Sequence, residues 1–234
     1  MRAASPRRAR RRRRTRAAMR RYALAALAGL LTLLPAAARA DVFSSLSYGV
    51  HVSTIGDGIT LEKPLLYDFS LRLATNTASV SQQLEYDGNP YTSTAKYNNI
   101  AVIADYRPYA GRYRISGGLV FGNDRVDNTA RDENGTIRVG SGVYPAAATG
   151  TVTSRLAFDR PSIYAGVGTG TGLIRGLALA FDAGVLLRNG TPSAAATGPL
   201  AADPVFRADL ARLRGELRTR VVVPVFSIGL TFRP

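Results

Sequence analysis

The sequence of 234 residues contains no cysteine. The chain therefore forms no disulfide, and it offers no thiol nucleophile and no thiolate metal ligand. Acidic residues are missing from its start, because residues 1–40 hold 12 of the 31 basic residues and none of the 16 acidic ones. The net charge of +15 falls to +3 over residues 41–234. The pI near 10.9 suggests a nucleic-acid partner, but so small an excess in the main part of the chain argues against one.

Residues 1–40 have the order of a secretory signal. Two adjacent arginines precede an apolar stretch of 12 residues, and cleavage after Ala40 fits a small-residue site. Twelve residues are too few for a membrane-spanning helix, which needs about 20. We predict an N-terminal extension and cleavable signal peptide over residues 1–40 and a single domain over residues 41–234. Either Met1 or Met19 can begin such a leader.

The rest of the chain lacks a long apolar run, and apolar residues instead alternate with small or polar ones. This alternation has the period of two that is typical of β-strands. The last such segment ends the chain, as SIGLTFRP. The alternating segments are residues 67–74, 99–106, 112–121, 162–168, 176–187 and 226–232.

The face opposite the apolar stripe distinguishes a barrel from a soluble sandwich. A sandwich would point mostly long, charged side chains outward, whereas here the second face carries Gly, Ala and Ser with isolated charges, as suits a narrow barrel interior. Aromatic residues near segment ends fit the interfacial girdles of a membrane barrel. They are Tyr67, Tyr106, Tyr109, Tyr113, Phe121 and Phe232.

The connections favour the same fold. Residues 107–113 and 168–176 are predicted as tight periplasmic turns, the second because its glycine run precedes a strand and not the helix of a phosphate-binding loop. Three longer connections, over residues 74–97, 122–160 and 188–220, are predicted as outer loops. We predict an all-β protein, a transmembrane antiparallel up-and-down β-barrel. It has seven or eight strands, depending on whether residues 43–65 form one strand or two, and the even count of eight is favoured.

The C-terminal segment resembles the signal by which outer-membrane barrels are recognised by their assembly machinery. Ser227, Gly229 and Phe232 match that pattern, and Pro234 stands where a terminal aromatic is expected. The stretch from residue 181 to 210 is similar to small proteobacterial outer-membrane proteins of the porin-like, OmpA/OmpW-like kind. The resemblance implies a small outer-membrane barrel, with the assembly machinery as a partner during biogenesis and no established activity.

Five charged residues are predicted to face the lumen. A charge in a narrow lumen needs a partner, because an unpaired buried charge is costly. The set forms either a structural network that fills the barrel or the selectivity lining of a narrow pore. We predict that at least one of the two arginines lies within salt-bridge distance of an aspartate. The residues are Asp68, Arg72, Asp105, Arg114 and Asp182.

The only histidine, His51, lies two residues before Ser53, with Glu62 beyond. The pair resembles the His-x-Ser arrangement of lipid A deacylases among small outer-membrane barrels. Residues two apart share a strand face, but this face points into the barrel, away from the acyl chains of a lipid substrate. We therefore predict no enzyme, no catalytic residue, no cofactor and no metal. The acidic stretch over residues 123–135 lacks the spacing of a calcium loop and is predicted as a solvated loop.

One segment has a helical pattern. Asp203 is a suitable N-cap and Pro204 a natural first residue, and an apolar stripe follows at Phe206, Leu210, Leu213 and Leu217. The helix is either a lid on the barrel mouth or a contact for lipopolysaccharide phosphates, with which guanidinium groups pair well. The candidate contacts are Arg207, Arg212, Arg214 and Arg218.

These observations favour an integral outer-membrane protein with a structural or interaction role in the cell envelope. The alternative is a narrow porin or channel for small or apolar solutes, and a lipid A-modifying enzyme is less favoured. The expected partners are outer-membrane lipid and lipopolysaccharide, with no nucleic acid, and the expected state is a monomer.

Overall fold

The computed structural model describes residues 45–66, 68–86, 89–108, 111–130, 135–217 and 219–234. The predicted leader, Tyr67, Tyr109 and Arg218 lie outside the described residues. None of the described helices is long and apolar enough to cross a membrane.

Thirteen strands and two α-helices are found within the described ranges. The strands are β1 (Ser47–Ser53), β2 (Gly56–Leu66), β3 (Phe69–Tyr86), β4 (Asn89–Tyr106), β5 (Tyr113–Gly122), β6 (Asp124–Ala130), β7 (Thr136–Val139), β8 (Gly142–Pro145), β9 (Val152–Phe158), β10 (Ser162–Ile174), β11 (Leu177–Asn189), β12 (Thr191–Ala196) and β13 (Arg220–Phe232). The helices are α1 (Ala146–Thr149) and α2 (Pro204–Glu216), and a 3-10 turn covers Pro199–Ala202.

Eight of these strands close into a ring. Their order is β1–β2–β3–β4–β5–β10–β11–β13, every neighbouring pair is antiparallel, and β13 pairs back onto β1. The predicted up-and-down barrel of eight strands is confirmed. Residues 43–65 contribute two strands and not one, because the chain turns at residues 54 and 55. Gly56, which follows the turn, adopts a positive φ of 122°.

The two faces of the ring differ as the alternation predicts. Apolar side chains remain exposed on the outside, as at Val52, Ile115 and Phe226, because no protein layer covers this face. Aromatic rings lie at one end of the barrel, where Phe69 and Tyr106 pack with their centroids 4.8 Å apart. A bare apolar belt with aromatic residues at its border is the outer surface of a membrane barrel.

The two ends of the barrel are unlike. At the short-turn end, strands are joined by brief connections that include residues 175 and 176. At the long-loop end, the connections after β5 and β11 carry further strands and helices.

Two predicted connections are wrong. Most of the predicted loop over residues 74–97 is strand, since β3 and β4 pair continuously up to residues 86 and 89; Ser, Thr and Gln on both faces conceal the alternation there. Most of the predicted turn over residues 168–176 is also strand, because β10 runs to Ile174. Its glycines face the lumen, where small residues are required.

The long connections form a separate layer beside the long-loop end. We call it the rim domain; its described residues are 124–130, 135–158 and 191–217. The strands β6, β9 and β12 extend the sheet from the outer half of β4. The helix α2 packs against β7 and β12, and its side chains Phe206 and Leu213 are buried with Val139 and Val152 in a small core. The predicted helix is thus confirmed, and Asp203 caps it by accepting hydrogen bonds from the amides of Val205 and Phe206 at 2.9 and 3.0 Å.

Candidate functional site: the barrel lumen

The centre of the lumen holds a cluster of buried ion pairs, which we call the central cluster. Arg72 on β3 donates two hydrogen bonds to the carboxylate of Asp105 on β4, Nε to Oδ2 at 2.9 Å and Nη2 to Oδ1 at 3.0 Å. Arg114 on β5 binds Asp182 on β11, with Nη2 2.7 Å from both carboxylate oxygens. Ser116 donates to Asp105 Oδ1 at 2.5 Å. Paired, forked contacts of this kind satisfy charges that the barrel wall removes from water.

The two halves of the central cluster are joined across the barrel. Arg72 Nη1 lies 3.3 Å from Asp182 Oδ2. Their strands β3 and β11 are four places apart in either direction around the eight-stranded ring, so this contact spans its full width. The structure therefore brings four of the five predicted lumen charges together. The fifth, Asp68, lies in the turn between β2 and β3, where its carbonyl oxygen accepts a hydrogen bond from the Arg107 amide at 2.7 Å.

A second ion pair lies closer to the short-turn end. Arg107 Nη2 is 2.6 Å from Glu62 Oε1, and Arg107 Nη1 donates to the Ser70 hydroxyl at 2.9 Å. Glu62 and Ser70 are buried. This pair supports the wall between β2 and the turn after β4, below the central cluster.

A chain of polar side chains crosses the lumen toward the long-loop end, and we call it the outer polar chain. His51 Nε2 contacts Asn76 Oδ1 at 3.0 Å, and Asn76 Nδ2 donates to Asn99 Oδ1 at 2.8 Å. Asn99 Nδ2 donates to Asp124 Oδ2 at 2.8 Å, and Arg188 also binds this carboxylate. Arg188 lies over the ring of Phe158, 4.3 Å from its centroid, in a cation–π contact.

The outer polar chain has a direction. Each asparagine amide donates toward Asp124, so the Asn76 carbonyl must accept from His51. The Nε2 atom of His51 is therefore the donor in this contact. The other ring nitrogen, Nδ1, is buried and has no hydrogen-bond partner among the described residues.

A cavity of about 610 Å³ occupies the lumen. Its lining begins at the short-turn end with Arg112 and Arg233 and reaches His51 and Ile55 near the other end. Arg72, Arg114 and Asp182 line its middle, so the central cluster narrows the cavity without filling it. Neither Asp124 nor Arg188 contributes to the lining. The cavity therefore ends below this part of the outer polar chain.

The glycines of β10 make room for these lumen side chains. A Cβ atom at Gly168 would lie 2.5 Å from Asp182 Oδ1 and 2.7 Å from Arg114 Nε, and one at Gly166 would lie 2.5 Å from the Tyr164 hydroxyl. A Cβ at Gly172 would meet nothing within 4 Å. The glycine run that resembles a phosphate loop on paper is thus a strand whose inner face accommodates the central cluster.

His51 and Ser53, which resemble a His-x-Ser pair in the sequence, make no hydrogen bond with each other. His51 uses Nε2 on Asn76, and the Ser53 hydroxyl donates to the Gly56 carbonyl at 2.6 Å. Glu62 is occupied by Arg107. General base and nucleophile must be within hydrogen-bond reach, and this pair has no such contact.

The predicted lipopolysaccharide contacts divide in two. Arg207 and Arg214 are exposed on α2, whereas Arg212 Nη1 donates to the Ser141 hydroxyl at 2.9 Å.

Of the predicted assembly signal, Phe232 is exposed on the outer face and Ser227 faces the lumen. Gly229 pairs with His51, and a Cβ there would lie 2.8 Å from the Val50 carbonyl oxygen and 3.1 Å from the His51 Cβ, so this glycine makes room for the neighbouring strand β1.

Most of the outer polar chain was not predicted from the sequence. Asp124, predicted in a solvated loop, is buried, because it begins β6 and accepts a hydrogen bond from the Asn98 amide at 2.7 Å. Asn76 and Asn99 lay in or beside the predicted loop after β3. The alternation along each strand could have indicated these lumen-facing side chains. Asn76 lies an even number of residues from Arg72, and Arg188 lies an even number from Asp182, so each pair shares a strand face.

Comparison with solved structures identifies two similar barrels. The crystal structure of CarO2 from Acinetobacter baumannii superposes with a TM-score of 0.59 at 16% identity, over 81% of this chain and 98% of that one. CarO from the same organism gives a TM-score of 0.53 at 19% identity, over 80% and 97%. A major outer membrane protein from Thermus thermophilus, at a TM-score of 0.43 and 13% identity over 81% and 99%, is too distant to support an argument. No family model and no curated protein sequence matches the chain.

The eight-stranded ring, its bare apolar exterior and its polar interior define the fold class. The protein is a transmembrane antiparallel β-barrel of the outer-membrane type. At such low identities, the two CarO structures establish this fold and carry no activity over to the chain.

Proposed function

We propose that the protein is an integral outer-membrane barrel, closed to solutes, with a structural and interaction role in the cell envelope. The observation that carries this proposal is the contact of Arg72 with Asp182 across the full width of the ring. A charge pair that holds opposite walls together stabilises a narrow, closed barrel. The predicted secretory leader and the C-terminal pattern at Ser227, Gly229 and Phe232 support export and assembly in the outer membrane. The strand number supports kinship with small OmpA-type barrels.

Planar-bilayer recordings test closure. Purified protein should insert without steady unitary current steps, because the lining of the lumen cavity stops short of Asp124 and Arg188. A variant with Asp124→Ser and Arg188→Ser removes the ion pair of the outer polar chain. The current through this variant should exceed that through the parent protein. The slower electrophoretic mobility of each protein after heating would verify that the barrel had folded. Steady unitary steps from the parent protein would contradict the proposal.

A narrow channel is the second candidate, and the cavity of about 610 Å³ favours it. In that case the central cluster is a selectivity lining, since charged side chains at a constriction select ions. The parent protein would then conduct, and the Arg114→Gln variant would conduct with a different ion preference. We propose no catalysis, and incubation with lipid A, followed by a search for released acyl chain, tests that point separately.

The rim domain is the proposed contact with lipopolysaccharide. Arg207 and Arg214 are exposed on α2, and guanidinium groups pair well with phosphates. Replacing Arg207, Arg214 and Arg218 by Gln should weaken binding of lipopolysaccharide to the folded protein. Arg125→Gln and Arg155→Gln provide a matched control, because both of these rim arginines already pair with Asp127. Unchanged affinity in the triple variant would exclude this contact.

A further inference from the structure

The sheet that runs through the rim domain has two edges of different character. Its strand order is β12–β9–β6–β4–β3. The β12 edge contains Pro192 and packs against α2. At the other edge, residues 78–86 of β3 pair with β4 alone among the described strands, because the ladder from β2 stops at Asp57 and Thr77.

Within the part of the chain that the structure describes, this second edge lacks the usual protection against pairing. Exposed strand edges are normally interrupted by proline, lysine or a bulge, or are covered by a helix or loop. Residues 79–85 are exposed on both faces and contain no proline and no lysine, and Glu85 is their only charge. Val80 and Leu84 remain 56% and 45% exposed on one face. The edge thus offers backbone hydrogen-bonding groups together with apolar side chains, the features used in β-strand addition.

We propose that residues 78–86 form a self-association edge, which pairs antiparallel with the same segment of a second copy. An antiparallel register centred on Gln82 places Val80 opposite Leu84 of the second copy, and this apolar pair occurs twice by symmetry. Ser79 then faces Glu85, so no like charges meet. Directly opposed side chains are the pairs that stabilise a sheet, and a self-complementary patch of this kind is what a two-fold interface requires.

Symmetry decides where the second copy lies, provided that the proposed membrane placement holds. With a two-fold axis along the membrane normal, both copies stand in the same membrane and both edges point away from it. The two edges would then be parallel, and they could not pair antiparallel. A two-fold axis in the membrane plane reverses one edge. The paired copies therefore belong to two facing membranes, and each barrel remains a monomer in its own membrane.

Disulfide trapping tests the register, because the natural chain has no cysteine. Gln82→Cys places two thiols opposite each other across the two-fold axis, within the reach of a disulfide. Two vesicle populations, carrying this variant with tags of different size, are mixed and oxidised. The expected product is a dimer that contains both tags. Ser79→Cys alone should give little of it, while Ser79→Cys vesicles mixed with Glu85→Cys vesicles should give it again.

Vesicle clustering provides the second measurement. The double variant Val80→Lys and Leu84→Lys brings like charges together at the proposed interface, and both positions are exposed, so the barrel should fold unchanged. Clustering of vesicles that carry the natural chain should be lost in this variant. Absence of mixed-tag dimers, or equal trapping at residues 79 and 82, would overturn the proposal. Dimers formed only within one vesicle would overturn the facing arrangement. Insertion and conductance, measured on the same vesicles, report on the proposed function independently.

Discussion

Arg72 and Asp182 meet across the full width of the barrel, with Nη1 3.3 Å from Oδ2. Each also has a closer partner, Asp105 for Arg72 and Arg114 for Asp182. Both arginines are buried and Asp105 is completely inaccessible to solvent. The lumen is therefore held by charge pairs that depend on one another, and removing one member leaves an uncompensated charge in the barrel.

Asp105→Ala is expected to destabilise the barrel strongly. It leaves Arg72 without its two-pronged partner, and breaking a buried pair in this way costs about 3–5 kcal/mol. Arg72→Met combined with Asp105→Leu should cost less than Asp105→Ala alone, because no unpaired charge remains. Urea unfolding in lipid vesicles, followed by tyrosine fluorescence, measures both. A double variant less stable than the single one would contradict this account of the central cluster.

Gly168→Ala is expected to disturb the same cluster through packing. The added methyl group would collide with Asp182 and Arg114, and overpacking of this kind costs about 1–3 kcal/mol. Gly172→Ala on the same strand is the matched control, since its Cβ would meet nothing within 4 Å, and it should stay within about 0.5 kcal/mol of the parent. Equal unfolding midpoints for the two variants would show that Gly168 does not make room for the ion pairs.

The period-two pattern was sufficient to predict the barrel and its inward charges, because a strand with one lipid-exposed face must alternate. It predicted Arg72 and Asp182 on the inner face, but their contact depends on the ring order, which no local pattern contains. The pattern did not predict β3 beyond residue 74, because polar side chains occur on both faces of the strand there. Asp124 was missed for a related reason: its burial comes from Asn99 and Arg188, which are distant in sequence.

Asp203→Ala is expected to loosen the start of α2. Its carboxylate accepts hydrogen bonds from the amides of Val205 and Phe206, and loss of such a cap costs about 1 kcal/mol. The helix packs against β7 and β12 of the rim domain, so the effect should be local. Amide hydrogen exchange should accelerate in the first turn of α2 and stay unchanged in β13. Asp159→Ala, at an exposed position between β9 and β10, is the control for removal of a rim carboxylate.

The attachment of α2 to the β7–β8 hairpin is expected to weaken at high pH. The Tyr144 hydroxyl donates to Asp209 Oδ2 at 2.6 Å. This hydrogen bond, together with the negative charge of Asp209, raises the pKa of Tyr144 above its ordinary value of about 10. A raised pKa in the folded state means that the contact stabilises the protein below the ordinary pKa, and that this contribution is lost as the pH rises through the folded value.

Difference absorbance of tyrosinate between the natural chain and Tyr144→Phe isolates this titration from those of the other tyrosines. Asp209→Asn should lower the pKa of Tyr144, because it removes the anion that opposes ionisation. Hydrogen exchange in α2 should accelerate at alkaline pH in the natural chain, and Tyr144→Phe should lack the alkaline step. An unchanged Tyr144 titration in Asp209→Asn would mean that this carboxylate does not set it. In that case another contact, such as the packing of Tyr144 on Phe206 with their ring centroids 4.9 Å apart, holds the helix in place.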